Sequence, residues 1–130
     1  MKKVLIVEDD SVDQFLARKV INRENPEVQC EFADDGDEAL AILTSSNPTP
    51  DLVLLDINMP GMNGLSFLEA YNARLDASSS VPIAMLTSSD LESDRQKALS
   101  FSNVIEYLTK PITCESWKRL RDSFRGMFND

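Results

Sequence analysis

Residues 52–64 read LVLLDINMPGMNG. Four apolar residues in succession stop abruptly at Asp56. A continuous apolar run of this length suits a strand covered on both faces, as in a parallel sheet; a half-wet strand would alternate. Such a strand is a costly place for a carboxylate unless something pairs with it. Pro60 and Gly61 follow and turn the chain. The stretch therefore predicts a buried parallel strand that delivers Asp56 to the rim of a sheet, next to a loop that helps wall a pocket.

The rest of the chain fits that centre. KVLIV (3–7), VQCEFA (28–33), PIAMLT (82–87) and VIEYLT (104–109) read as four further strands around DLVLL (51–55). VQCEFA alternates, with Val28, Cys30 and Phe32 on one face. Helical patterns lie between the strands. Residues 11–24 place Val12, Phe15, Leu16, Val20 and Ile21 on one stripe. Ala39, Leu40, Ile42 and Leu43 mark a second helix after Gly36, and Leu65, Leu68, Tyr71 and Leu75 a third. A weak fourth helix spans about 90–101, with Leu91, Ala98, Leu99 and Phe101 among many polar residues. The fifth begins near Thr113 and carries Trp117, Leu120, Phe124 and Phe128, which read as core or interface. Ser11 with Gln14, and Ser89 with Glu92, have the spacing of capping boxes. SSNPTP (45–50) and DASSS (76–80) read as loops too short to separate domains. Strands alternating with helices predict an α/β fold: a doubly wound five-stranded parallel sheet between two helical layers, a flavodoxin-like three-layer sandwich.

In such a sheet the strand C-termini share one edge, and ligands bind there where strand order reverses. The first strand runs into Glu8, Asp9 and Asp10; the third ends at Asp56; the fourth ends at Thr87; the fifth ends at Thr109, Lys110 and Pro111. If strands 1 and 3 are neighbours, as in the order 2-1-3-4-5, Glu8, Asp9 and Asp56 converge. Converging carboxylates repel, which raises their pKa values and destabilises the fold unless a cation joins them. Mg²⁺ suits an all-oxygen ligand set. Lys110 can neutralise phosphoryl charge or hold a carboxylate, and the Thr87 hydroxyl can donate to a phosphoryl oxygen. A carboxylate can itself be the nucleophile. These parts favour phosphoryl transfer onto an aspartate. Asp10 reads as a helix-start acid rather than a ligand.

Composition narrows the alternatives. The 130 residues make one domain and are 42% hydrophobic, enough for a core without staples. Histidine is absent, which excludes Ser-His-Asp and Cys-His catalysis and the usual zinc sites. Net charge is −9, and residues 1–65 hold 13 acids against 5 bases, an unfavourable surface for nucleic-acid phosphates. The mildly basic KRLRDSFR (118–125) reads as a solvated helix face. Cys30 and Cys114 have no metal or redox spacing and suit free thiols in a reducing cytosol. No run is long enough for a membrane span, and MKKVLIVEDD is too short for a signal-peptide core, so a cytoplasmic location is expected.

VEDD (7–10), LLDINMPGMNG (54–64), MLTSS (85–89) and YLTKP (107–111), in this order and spacing, make the chain resemble the receiver domain of two-component response regulators from end to end. The order 2-1-3-4-5 is a known property of chemotaxis receivers, so it comes with the resemblance and not from the residues. The resemblance implies that Asp56 is the phospho-acceptor. It implies that Glu8, Asp9, Asp56 and the backbone carbonyl of Asn58 hold Mg²⁺. Lys110 would contact the incoming phosphoryl group, Thr87 would bond it and move inward, and Tyr107 would be the aromatic switch partner. The Lys110–Pro111 bond would be cis. Glu8 stands where many members have Asp, a variation the family also uses.

Further expectations follow from the resemblance. The phosphoryl donor is a separate sensor histidine kinase, since a chain without histidine cannot carry the phosphohistidine itself. With the fifth helix running to the end of the sequence, residues 1–130 read as a single stand-alone receiver without an effector domain. Output then passes through protein contacts, on the face of helix 4, strand 5 and helix 5, to a downstream target or a phosphotransfer protein. No nucleic-acid or membrane partner is expected, nor enzymatic turnover on other substrates. Three other classes compete. An aspartate-nucleophile phosphatase would show Asp-x-Asp after its first strand, whereas here Asp56-Ile57-Asn58 follows the third. A phosphorylation-independent adaptor would not need the intact acid set. A flavin protein would meet repulsion between the acids after strand 1 and the cofactor phosphate.

Overall fold

The computed structural model describes residues 2–45, 49–74 and 81–128. Ten elements alternate along the chain: β1 (Lys3–Val7), α1 (Ser11–Glu24), β2 (Gln29–Ala33), α2 (Gly36–Ser45), β3 (Leu52–Leu55), α3 (Gly64–Arg74), β4 (Ile83–Thr87), α4 (Glu92–Leu99), β5 (Val104–Thr109) and α5 (Cys114–Phe128). The strands form one sheet in the order β2-β1-β3-β4-β5, every pair parallel. The flavodoxin-like architecture expected from the sequence is thus the one observed. The loop readings at 46–48 and 76–80, and Leu75, lie outside the described residues.

Strand alternation explains the two cores. Val4 and Ile6, Leu52 and Leu54, Ala84 and Leu86 point to one face, where Ala17 and Ile21 of α1 and Trp117, Leu120 and Phe124 of α5 cover them. Leu5 and Val7, Val53 and Leu55, Ile83 and Met85 point to the other, under α2, α3 and Ala98 of α4. β3 is buried at all four positions, which accounts for its unbroken apolar run. Trp117 and Phe124 are core residues. The Trp117 indole also donates to the Asn25 side-chain oxygen at 2.9 Å, tying α5 to the C-terminal end of α1.

Three readings of the helices need correction. On α1, Ile21 is buried, but Val12, Phe15 and Leu16 are 63%, 50% and 40% exposed. The helix lies on the sheet through Ala17 and Ile21, so the start of the stripe faces solvent. Ser11 is not a cap. Asp10 is, accepting from the backbone N–H of Val12 at 2.8 Å and of Asp13 at 3.2 Å. Ser89 does not cap α4 either: the helix starts after Leu91, with no side-chain cap bond, and the Ser89 hydroxyl instead donates to Asp94 at 2.6 Å. The box that does form is at α5, where Thr113 Oγ1 accepts from the Ser116 N–H and Ser116 Oγ accepts from the Thr113 N–H.

No helix among the described residues is long and apolar enough to cross a membrane.

Candidate functional site

Backbone hydrogen bonds continue the sheet ladder one residue past three strands. The Glu8 N–H donates to Ala33 O at 2.9 Å, Asp56 N–H to Val7 O at 3.1 Å, and Lys110 N–H to Thr87 O at 2.9 Å. The strands thus fix the backbones of Glu8, Asp56 and Lys110 at the sheet's C-terminal edge. Gly64, at the start of α3, sets the far side of Asp56. A Cβ there would fall 2.3 Å from the Asp56 carbonyl oxygen and 2.8 Å from Ile57 Cα, so only glycine permits this approach. Gly61, at φ +69°, makes the turn that brings α3 back.

The acids meet as the sequence predicts. Carboxylate oxygens of Glu8, Asp9 and Asp56 lie within 4.8 Å of one another. Glu8 and Asp56 are 4% and 3% exposed, while Asp9 faces solvent. Lys110 Nζ donates to Glu8 Oε2, Asp56 Oδ2 and Asp13 Oδ2, each at 2.9 Å. Asp13 was not singled out by sequence. The signal was present, since it sits four residues after Asp9 on α1 and so on the same helical face, but no motif flagged it. Asn58 is exposed, and its N–H donates to Asp56 Oδ1 at 3.2 Å. The Lys110–Pro111 bond is cis.

The electrostatics differ from the sequence expectation in one respect. Burial and a hydrogen bond with Asp56 push Glu8 up to about 8. Asp56 moves the other way. Burial alone would raise it, but hydrogen bonds with Glu8, Lys110 and Thr87 outweigh that and hold it below the ordinary carboxylate range. Two adjacent carboxyls cannot both ionise cheaply, so one keeps a proton and bonds the other. Burial would depress Lys110, yet its bonds to Asp13, Glu8 and Asp56 raise it above the usual lysine value. The bare site is therefore neutralised by a proton and an ammonium.

A divalent cation could take over part of that task. Ligands on opposite sides of Mg²⁺ are about 4.2 Å apart, from metal–oxygen bonds of about 2.1 Å. A trio of oxygens within 4.8 Å needs only a small contraction to meet it.

Thr87 links this centre to the neighbouring face. It is fully buried, and its hydroxyl is bonded to Asp56 and accepts from the Ser89 N–H at 3.2 Å. Ser89 reaches α4 through Asp94, and its carbonyl accepts from the Tyr107 hydroxyl at 3.1 Å. Beyond lies a groove of about 470 Å³ lined by Ser89, Leu91, Arg95, Tyr107, Lys110 and Arg119, among others.

This arrangement of acids, lysine and threonine has known counterparts. The family model for the response regulator receiver domain matches residues 4–120. The chain belongs to that family. It is 35% identical over 117 residues to the alkaline phosphatase synthesis transcriptional regulatory protein SphR of Synechococcus elongatus, a match covering 85% of this chain and 43% of the relative. It is 30% identical to the sensor histidine kinase CheAY of Helicobacter pylori over 86% of this chain and 13% of that protein. The chain thus spans less than half the length of these curated relatives. Among solved structures, a two-component response regulator from Legionella pneumophila superposes with a TM-score of 0.81 at 29% identity, over 97% of this chain and 99% of the other. One from Cytophaga hutchinsonii gives 0.84 at 26%, over 95% and 96%. Receiver domains are phospho-acceptor signalling domains, phosphorylated by sensor histidine kinases. Because SphR is by name a transcriptional regulatory protein, the argument from charge against nucleic-acid binding reaches no further than the receiver's own surface.

Proposed function

We propose that this receiver accepts a phosphoryl group on Asp56 from the phosphohistidine of a sensor kinase and signals through phosphorylation-dependent protein contacts. The observation that carries the reading is the convergence of Glu8, Asp9 and Asp56 at one sheet edge with Lys110 Nζ among them. In the transfer, an Asp56 carboxylate oxygen forms the new P–O bond as the P–N bond of the donor breaks, and the imidazole leaves with the bonding pair. Asp56 is suited to attack because its depressed pKa keeps it ionised. Glu8, Asp9, Asp56 and the Asn58 carbonyl would hold Mg²⁺, which when bound offsets charge on the transferring group. Lys110 supplies a fixed ammonium next to the acceptor, and Thr87 a hydroxyl on the opposite side.

Donor approach fits the surface. Val12, Phe15 and Leu16 form an exposed apolar face on α1, the helix that also carries Asp13 beside Lys110. A phosphohistidine must come within bonding distance of Asp56, so a transfer complex buries the rim around it. An apolar face at that rim is the natural contact for the donor. On the output side, Thr87 turning towards a phosphoryl group releases its hold on the Ser89 N–H, which disturbs the Asp94 and Tyr107 contacts beyond. Tyr107 is thereby the switch partner and the groove the output face. We read residues 1–130 as one receiver working in the cytoplasm, supported by the nearly full-length match to the Legionella regulator.

Intact-mass measurement after treatment with acetyl phosphate and Mg²⁺ tests the proposal. A single phosphoryl adduct, absent in Asp56→Asn, is expected. An adduct that survives that substitution removes Asp56 from its role, and rapid turnover of phosphomonoesters would make the chain a phosphatase.

A further inference from the structure

Lysine has three N–H donors, and here all three are used on carboxylates. Two of the acceptors, Glu8 and Asp56, also belong to the oxygen cluster that fits a cation. The third, Asp13, does not. It sits in the first turn of α1, where an acid is favourable against the helix dipole and needs no further reason. Its carboxylate nevertheless reaches across 97 positions of sequence to the lysine. The side chain is 35% exposed, against 6% and 4% for Glu8 and Asp56, so it is the partner nearest water.

We propose that Asp13 is a positioning residue: it anchors the Lys110 ammonium independently of the acids that a cation and a phosphoryl group claim. The proposal rests on the receiver reading above. When Glu8 and Asp56 turn their oxygens to a cation, Lys110 must give up part of its hold on them. Asp13 keeps the ammonium charge-paired and in place through that exchange. Without Asp13, Lys110 leans wholly on Glu8 and Asp56 and competes with the cation for them. Asp13 thus favours cation binding while ligating nothing itself, and keeps Nζ where the transferring group arrives.

The test is a double-mutant cycle on Mg²⁺ affinity, read by isothermal titration calorimetry, with Asp13→Asn, Lys110→Met and the double variant. Asp13→Asn keeps an oxygen acceptor and removes only the charge. We expect it to weaken Mg²⁺ binding about fivefold, equivalent to about 1 kcal/mol. In the Lys110→Met background the same change should have no effect. An equal weakening in both backgrounds would mean Asp13 acts on the ion directly by charge and would overturn the proposal. So would unchanged affinity in Asp13→Asn while the wild type binds Mg²⁺.

A second measurement stands without the metal and without Lys110→Met folding. In ¹⁵N-resolved NMR the Lys110 ammonium protons should be visible in the wild type and lost to solvent exchange in Asp13→Asn, with Asp13→Glu restoring them. A dipole role alone would lower the melting temperature and leave that signal intact, which would refute the anchor. Failure of the wild type itself to bind Mg²⁺ would count against the receiver's metal site instead, and the NMR comparison would still decide the role of Asp13.

Discussion

Magnesium affinity should fall steeply as pH is lowered, because the site already holds a proton that the ion must displace. The perturbation is pH at fixed Mg²⁺. Glu8 carries its proton up to about pH 8, and its lone pairs serve a cation only once that proton leaves. Below that pH the apparent affinity should drop about tenfold per unit, with close to one proton released per ion bound. Suppose Mg²⁺ is set at about ten times its apparent Kd at pH 7. Binding then stabilises the fold by about 1.4 kcal/mol. For a chain of this length that is a rise in Tm of about 5 °C. At pH 6 the same concentration merely equals the apparent Kd, the gain shrinks to about 0.4 kcal/mol, and the rise to about 1.5 °C. The metal-free protein moves in the opposite sense. A pKa raised on folding means the folded state binds more protons than the unfolded chain between about pH 4.5 and 8. This contribution to stability is fully present below about 4.5 and is lost as pH rises to about 8. Thermal melts across pH 5.5–8.5, with and without Mg²⁺ at constant ionic strength, read both trends, and calorimetry in buffers of different ionisation enthalpy counts the proton. Equal Mg²⁺ shifts at pH 6 and pH 8 would refute the reasoning. A shift that persists undiminished in Asp9→Ala would show the ion sits elsewhere.

Gly64→Ala should cost about 1–3 kcal/mol and impair phosphorylation together, because the new methyl would displace the Asp56 backbone; Gly61→Ala, with nothing near its Cβ, should cost only about 1–2 kcal/mol of left-handed strain and leave acetyl-phosphate labelling intact. Both are read by urea denaturation beside intact mass. Tyr71→Phe should cost about 1–3 kcal/mol, since the buried Tyr71 hydroxyl accepts from the Val81 N–H at 2.9 Å and its loss strands that donor. Phe15→Ser should leave stability within about 0.5 kcal/mol, as expected of an exposed side chain, and leave labelling by acetyl phosphate unchanged. It should slow transfer from a phosphohistidine donor protein, and equal donor rates would remove α1 from the docking surface.

How much of this was legible beforehand follows from which forces act locally. LVLL, IAML and KVLIV announced themselves because strands covered on both faces need apolar residues at every position. Asp56, Glu8, Thr87 and Lys110 were readable because each ends a strand and the topology carries strand ends to one edge. Residues 12–16 misled because periodicity reports an apolar stripe without saying how far along the helix the sheet extends beneath it. The capping boxes failed for a related reason: Ser11 and Ser89 have the right spacing, but the neighbouring Asp10 takes the cap of α1 while Asp94 takes the Ser89 hydroxyl. Asp13 was illegible because its partner lies 97 residues away and no helical rule connects them.

The direction of the pKa shifts is the step that links fold to signalling. A cluster of repelling acids could relax by spreading apart, but the backbone bonds from Glu8 to Ala33, Asp56 to Val7 and Lys110 to Thr87 prevent it. The sheet holds the charges together and leaves protonation and pairing as the only relief. That relief is divided unequally: Glu8 takes the proton and Asp56 stays ionised, so the acceptor remains nucleophilic in the resting protein. Asp56 is also the acid bonded to Thr87, the one hydroxyl that connects through Ser89 to α4 and Tyr107. Chemistry at Asp56 therefore cannot change the charge it presents to Thr87 without changing the bond on which that connection begins. Had Glu8 been the ionised partner, the same set of residues would have held a poor nucleophile facing the switch.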